Sequence, residues 1–292
     1  MSSELGLPPH DLVQIDPGLS ILRLAALYAG PQGKLDDETL GLMYEQVQAG
    51  ALAEMAPWEA WRELVRGLMA PTPSKMFGAL HACGALPLLL PEVAALFGVP
   101  QIAEDPPQVD IGKHMLRVLD EAARCNAPLA VRFAAMVMNV GKADSPPEHL
   151  PVHYRHVERG GPRIKGMCER FGVPSECRDL ALLALAECER VHRVSEVRAG
   201  PVAALLERVG AFSQPERFEQ LMMLCACDYR AYGGRMQADY PKAVLLGKAL
   251  KACAGIDAAA EDATTSADSL QEARAVAIAA VFRSERWSQG NA

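Results

Sequence analysis

The stretch Arg132-Phe133-Ala134-Ala135-Met136-Val137-Met138-Asn139-Val140-Gly141-Lys142 decides the fold class of this chain. Its apolar run has no polar face, is rich in Ala and Met, and carries few β-branched residues. That pattern predicts a short helix over 129–139, buried on all sides. Gly141 predicts a turn at its end, and Lys142 suits the negative pole of a helix.

A fully apolar helix needs amphipathic neighbours to cover it, and the flanking sequence supplies them. Residues 111–124 put Ile111, Met115, Val118, Leu119 and Ala122 on one face, and residues 37–49 repeat Leu40, Met43, Tyr44 and Val47 at helical spacing. Thr72-Pro73 predicts an N-cap and first-turn proline for the helix with Met76, Phe77 and Leu80, and Gly84 predicts its C-terminal cap. Gly161-Pro162 predicts the start of another helix, and Val173-Pro174-Ser175 separates it from a helix over 176–189. Ser213-Gln214-Pro215-Glu216 and Ser269-Leu270-Gln271-Glu272 read as capping boxes for two later helices. No segment predicts a strand. Residues 100–109, with three prolines, and residues 254–268, rich in Ala, Thr, Ser and Asp, predict loose or mobile connections. The expected architecture is all-α.

The 292 residues are 50% hydrophobic, enough for one large or two modest domains. No stretch reaches the roughly 18 uncharged apolar residues of a membrane span. The N-terminus lacks the basic-then-apolar pattern of a secretory signal, so a cytoplasmic protein without membrane contact is expected. The eight cysteines include no CxxC pair and read as reduced core thiols. A net charge of −7 argues against non-specific nucleic-acid binding, although residues 155–165 form a local basic run.

Several residues could carry chemistry. His114 lies on the inward face of the helix over 111–124, Met138-Asn139 ends the apolar helix, and His153 and His156 sit in a polar loop. Glu187-Cys188-Glu189 and His192 fall on a later helix. A metal hydrolase needs nitrogen and carboxylate ligands converging from several helices to activate a water. Each residue also has a plainer reading: a core histidine, surface loop histidines, and solvated charges at Glu187 and Glu189.

Taken in order, these elements resemble the body, tail and HD-type phosphohydrolase portions of proteobacterial CCA-adding tRNA nucleotidyltransferases, over roughly residues 16–287. The resemblance is carried by Asp16-Pro17, Leu22-Arg23-Leu24, Glu38-Thr39-Leu40-Gly41-Leu42-Met43, Glu59-Ala60-Trp61-Arg62-Glu63-Leu64 and Pro73-Ser74-Lys75-Met76-Phe77. It continues through Cys83-Gly84-Ala85-Leu86, Leu90-Pro91-Glu92, Asp110-Ile111-Gly112-Lys113-His114, Val131-Arg132-Phe133-Ala134, Val173-Pro174, Arg178-Asp179-Leu180-Ala181 and Ala226-Cys227-Asp228-Tyr229-Arg230.

The resemblance implies a body-like region over 1–95, a degenerate HD-like domain over 96–250, and a mobile linker plus C-terminal helix over 251–292. The family's polymerase head would precede this chain, so CCA addition is not expected of the chain alone. Met138-Asn139 stands where the family has a metal-binding His-Asp pair, and Cys188-Glu189 stands where it has a second one. His114, His153, His156, Lys142, Asp228 and Arg230 match the family. Lys142 and Arg155 are the phosphate-binding candidates, and His114, His153, His156 and Glu189 are the only candidate metal ligands. The leading expectation is a catalytically inactive RNA- or nucleotide-binding or regulatory module with no required cofactor, its partners tRNA, a nucleotide, a protein or a second copy. Two alternatives stay open. One is a residual phosphohydrolase of the 2′-nucleotidase or cyclic-phosphodiesterase kind, using weakly held Mn²⁺, Ni²⁺ or Mg²⁺. The other is an accessory subunit of a split or full-length nucleotidyltransferase.

Overall fold

The computed structural model describes residues 17–289, apart from 105, 196, 234, 236–237 and 261–266. Asp16, at the start of the family-like sequence, lies outside them. The described residues are predominantly helical, as the patterning predicts, with fourteen α-helices among them.

The first six are α1 (Pro17–Tyr28), α2 (Asp37–Gln48), α3 (Pro57–Leu68), α4 (Pro73–Ala82), and the short α5 (Leu86–Leu89) and α6 (Pro91–Ala94). Next come α7 (Ile111–Arg124) and α8 (Leu129–Val137), followed by 3₁₀ turns at Val140–Lys142 and Pro147–His149. The chain continues with α9 (His156–Phe171), α10 (Ser175–Arg193), α11 (Ala199–Arg208), α12 (Pro215–Arg230), α13 (Pro241–Ala260) and α14 (Ala267–Gln289).

Helix α8 is the hub. Every residue from Ala130 to Val137 is buried, and the helix packs against α7, α10 and α12. A nine-residue segment that is apolar apart from Arg132 can be helical only in such surroundings, because its own hydrogen bonds are too few to hold it in water. Trp61 of α3 meets Phe133 of α8 edge to face, ring centres 5.8 Å apart. One hydrophobic cluster runs from Ile21 in α1 to Phe282 in α14.

Arg132 is the one charge in this hub, and it is buried. Its guanidinium donates to the carbonyls of Ala127 (2.9 Å), Leu68 (2.8 Å) and Ala70 (3.0 Å). It thereby satisfies the carbonyl end of α3 and the α7–α8 connection. Arg132→Met keeps the apolar stem but leaves those acceptors unpaired. The expected cost is about 3 kcal/mol, in the range for buried bonds to a charged donor. A urea melt reads it, and a loss near zero contradicts the assignment.

Four details depart from the sequence reading. Residues 100–110 hold an antiparallel pair, β1 (Pro100–Ile102) and β2 (Gln108–Asp110), with Gln101 opposite Val109. Proline content hid it, although Pro100 stands at the first strand position, where a proline is tolerated. Helix α9 starts at His156 and carries Pro162 inside it. His156 is therefore a helix residue rather than a loop histidine, and Gly161-Pro162 is not a start. The two capping boxes also fail: Gln214 rather than Ser213 is the N-cap of α12, without a side-chain bond, and Ser269 lies within α14. Finally, α13 continues through Ala260, so residues 254–260 are helical rather than loose.

Candidate functional site

Helices α8, α10 and α12, the Val140–Lys142 turn, β1 and the segment after α12 converge on a cavity of about 180 Å³. Met138 ends α8 and Asn139 follows it, so both reach the cavity because the helix stops there. Lys142 comes from the 3₁₀ turn, His156 from the first turn of α9, Cys188, Glu189 and His192 from α10, and Asp228 from α12. Cys188 and His192 are four residues apart and share a helix face.

The Val140–Lys142 turn is fixed from outside by α9. Arg159 donates to the Gly141 carbonyl (3.1 Å) and to Ser145 Oγ (3.0 Å), and Arg163 donates to the Val140 carbonyl (3.2 Å). The buried Lys142 ammonium then donates to Gln101 Oε1 and pairs with Glu189 Oε1, both at 3.2 Å. Burial alone would raise the Glu189 carboxyl, but Lys142, His156 and Arg193 outweigh it and hold it below its ordinary value. His156 Nδ1 bonds to the His153 carbonyl (2.9 Å), and its Nε2 lies 3.6 Å from Glu189. Burial lowers the His156 pKa, so the ring is neutral near pH 7.

Asp228 forms the other half of the site. His114 Nε2 stands 2.9 Å from its Oδ1. His192 Nε2 stands 3.1 Å from its Oδ2, off the line of a hydrogen bond. Tyr240 Oη stands 2.7 Å from His192 Nδ1; because the carboxylate facing Nε2 can only accept, it favours the ring proton on Nε2, with the tyrosine hydroxyl donating to Nδ1. Burial pushes the Asp228 carboxyl up, but the two histidine contacts more than offset this and hold it well below the usual carboxylate range. His114 is fully buried behind Asp228, and its Nδ1 has no hydrogen-bond partner.

The cavity thus gathers Met138, Asn139, Lys142, His156, Cys188, Glu189 and Asp228 from the sequence candidates. Four others stand apart. His114 lies behind Asp228. His153 lies beside the cavity, with one ring nitrogen on Ser145 Oγ (2.8 Å) and the other on the Pro100 carbonyl (2.9 Å). Arg155 is exposed and paired with Glu158. Arg230 holds the Ala238 carbonyl at 2.8 Å. Glu187 is not a solvated charge: it is buried and paired with Arg190 (3.0 Å) and Arg208 (3.2 Å).

His192, a sequence candidate on the helix of Cys188 and Glu189, lines the cavity as well, together with Gln101, Arg193 and Tyr232. No local signal marks Gln101 or Tyr232, which arrive from a strand and a connecting segment. A second lobe of about 680 Å³ shares Ile102, His192, Asp228 and Tyr232 with the first and is walled by Tyr229, Tyr240 and Arg235. The Arg235 guanidinium lies over the Tyr229 ring, 4.5 Å from its centre.

A hard divalent metal does not fit these donors as they are arranged. His114 and Asp228 bind each other, both His153 nitrogens are engaged, and Glu189 is committed to Lys142 and Arg193. Met138 offers a soft thioether and Asn139 a neutral amide, which such ions bind weakly. Among the described residues, no three His, Cys, Asp or Glu side chains come together as a metal-binding group.

Comparison with known proteins assigns the relationship. The chain is 43% identical over 249 residues to a multifunctional CCA protein of Cupriavidus necator, a match covering 83% of this chain and 61% of that protein. The chain is a relative of the multifunctional CCA proteins. Those of Paracidovorax citrulli (43% identity, 86% of this chain, 60% of the relative) and Burkholderia vietnamiensis (43%, 89% and 64%) agree. The chain spans about 60% of the length of the multifunctional CCA proteins it matches. No family model matches it. Among the described residues, no helix is long and apolar enough to cross a membrane.

Proposed function

We propose that this chain is a non-catalytic binding module that takes a nucleotide, or the nucleotide end of an RNA such as tRNA, in a degenerate HD-type cavity. The observation that carries the reading is the mutual grip of His114 and Asp228 beside Met138 and Asn139. Side chains suited to holding a metal are either replaced or spent on one another. The donors lining the cavity are Asn139 with Lys142 and Arg193, the last two paired with Glu189, and a phosphate would compete with that carboxylate for them. The adjoining lobe, with its three tyrosines, suits a planar base. Relatedness to proteins named for CCA supports tRNA as the RNA in question.

Filter binding with tRNA at low salt tests this. The expected Kd is tighter than about 100 μM, near the upper limit for non-specific binding. Lys142→Met should weaken it about tenfold or more, the loss of one charge-assisted hydrogen bond. Absence of binding overturns the proposal. Metal-dependent release of phosphate from a 2′- or 3′-nucleotide, abolished by His114→Ala, would replace it with the hydrolase reading.

A further inference from the structure

We infer that Cys188 and Cys225 form an oxidation site: a dithiol that a peroxide entering the cavity converts to a disulfide linking α10 to α12. The two Sγ atoms stand 3.5 Å apart, and both cysteines are free thiols. Cys188 lines the cavity, whereas Cys225 is fully buried behind it. The pair is therefore asymmetric, with one sulfur that a small oxidant can reach and one that only Cys188 can reach.

The chemistry closes without further reagents. The Cys188 thiolate attacks one oxygen of hydrogen peroxide and the O–O bond breaks. The departing hydroxide takes up the proton lost by the thiol and leaves as water. The Cys225 sulfur then attacks the Cys188 sulfenic acid, the S–O bond breaks, and a second water leaves with the Cys225 proton. Two thiols lose two electrons in total, and the peroxide gains them.

The position of the pair gives the reaction a consequence. Cys188 precedes Glu189 and lies one helical turn before His192, and Cys225 lies one turn before Asp228. A disulfide needs its sulfurs about 2.05 Å apart, so they must close by roughly 1.5 Å. That closure draws together the two helix segments that carry the His192–Asp228 contact.

Peptide mass spectrometry of the whole chain tests this after brief peroxide treatment, acid quench and alkylation in denaturant. The expected result is loss of two of the eight thiols in one cross-linked pair of peptides, Cys188 to Cys225, reversed by dithiothreitol. In Cys225→Ala, Cys188 should accumulate as a sulfenic acid trapped by dimedone. In Cys188→Ala, Cys225 should stay alkylatable. If all eight thiols of the unsubstituted chain remain alkylatable, or if the bridge joins other cysteines, the inference is overturned whether or not either variant folds.

Discussion

Gly141→Ala is expected to cost about 3 kcal/mol or more, at the upper end of what overpacking does. A Cβ built on Gly141 would lie 1.9 Å from the His156 carbonyl oxygen, 2.6 Å from Gly160 N and 2.9 Å from Gly160 Cα. All three are backbone atoms, and none can rotate away. The turn and α9 must separate, and the Arg159 and Arg163 bonds to the turn carbonyls would break with them. Lys142 and His156 sit on the two sides of this contact, so the cavity would lose shape along with stability. Gly166, further along α9 and exposed, has nothing within 4 Å of its built Cβ. Gly166→Ala should therefore be neutral or stabilising by up to about 1 kcal/mol, the usual helical preference for Ala. Urea denaturation of both variants reads the contrast, and equal effects would contradict the close approach.

Asp228→Ala is expected to destabilise the protein by about 3 kcal/mol, because it leaves the buried His114 N–H without an acceptor and removes the anion facing His192. Asp228→Asn separates charge from hydrogen bonding. Its amide oxygen still accepts from His114, so near pH 7 it should be the milder change. The two differ in acid. The folded Asp228 carboxyl lies well below its ordinary value of 3.8. The unfolded state therefore takes up the proton first as pH falls. The contribution of this group is complete above the unfolded value and drains away as pH drops below it toward the folded one. Stability measured from pH 6 down to pH 2 should fall more steeply for the natural chain than for Asp228→Asn. Parallel curves would mean that Asp228 has no such role.

The sequence made the helices legible because burial and periodicity coincide. The run at α8, apolar but for Arg132, can be satisfied only inside a helical bundle, and the amphipathic α7 supplies its cover. Caps were read less well. Thr72 stands at its N-cap position without a side-chain bond, and Gln214 displaced Ser213, because tertiary packing sets those ends rather than local capping. The significance of Gly141 was half visible. It marks a turn, yet the reason for glycine is the approach of α9, a contact between residues 15 and 19 positions away. Likewise the residues ending α8 could be placed at a site from sequence, but not the closing of His114 onto Asp228, 114 residues apart. Gln101 and Tyr232 were invisible because they reach the cavity from a three-residue strand and a connecting segment, both too short to show a periodicity.

Calorimetric titration with Mn²⁺ tests most directly whether the candidate ligands of this cavity are spent on one another, as His114 and Asp228 are, beside a Met138 and an Asn139 that offer no strong ligand. No stoichiometric binding by the natural chain is expected at millimolar metal. Met138→His/Asn139→Asp should gain more than about 100-fold in affinity, since it supplies two direct ligands where even an outer-shell change is worth roughly 10–100-fold. Stoichiometric binding by the natural chain that disappears in His114→Ala would contradict this and make the cavity a metal site.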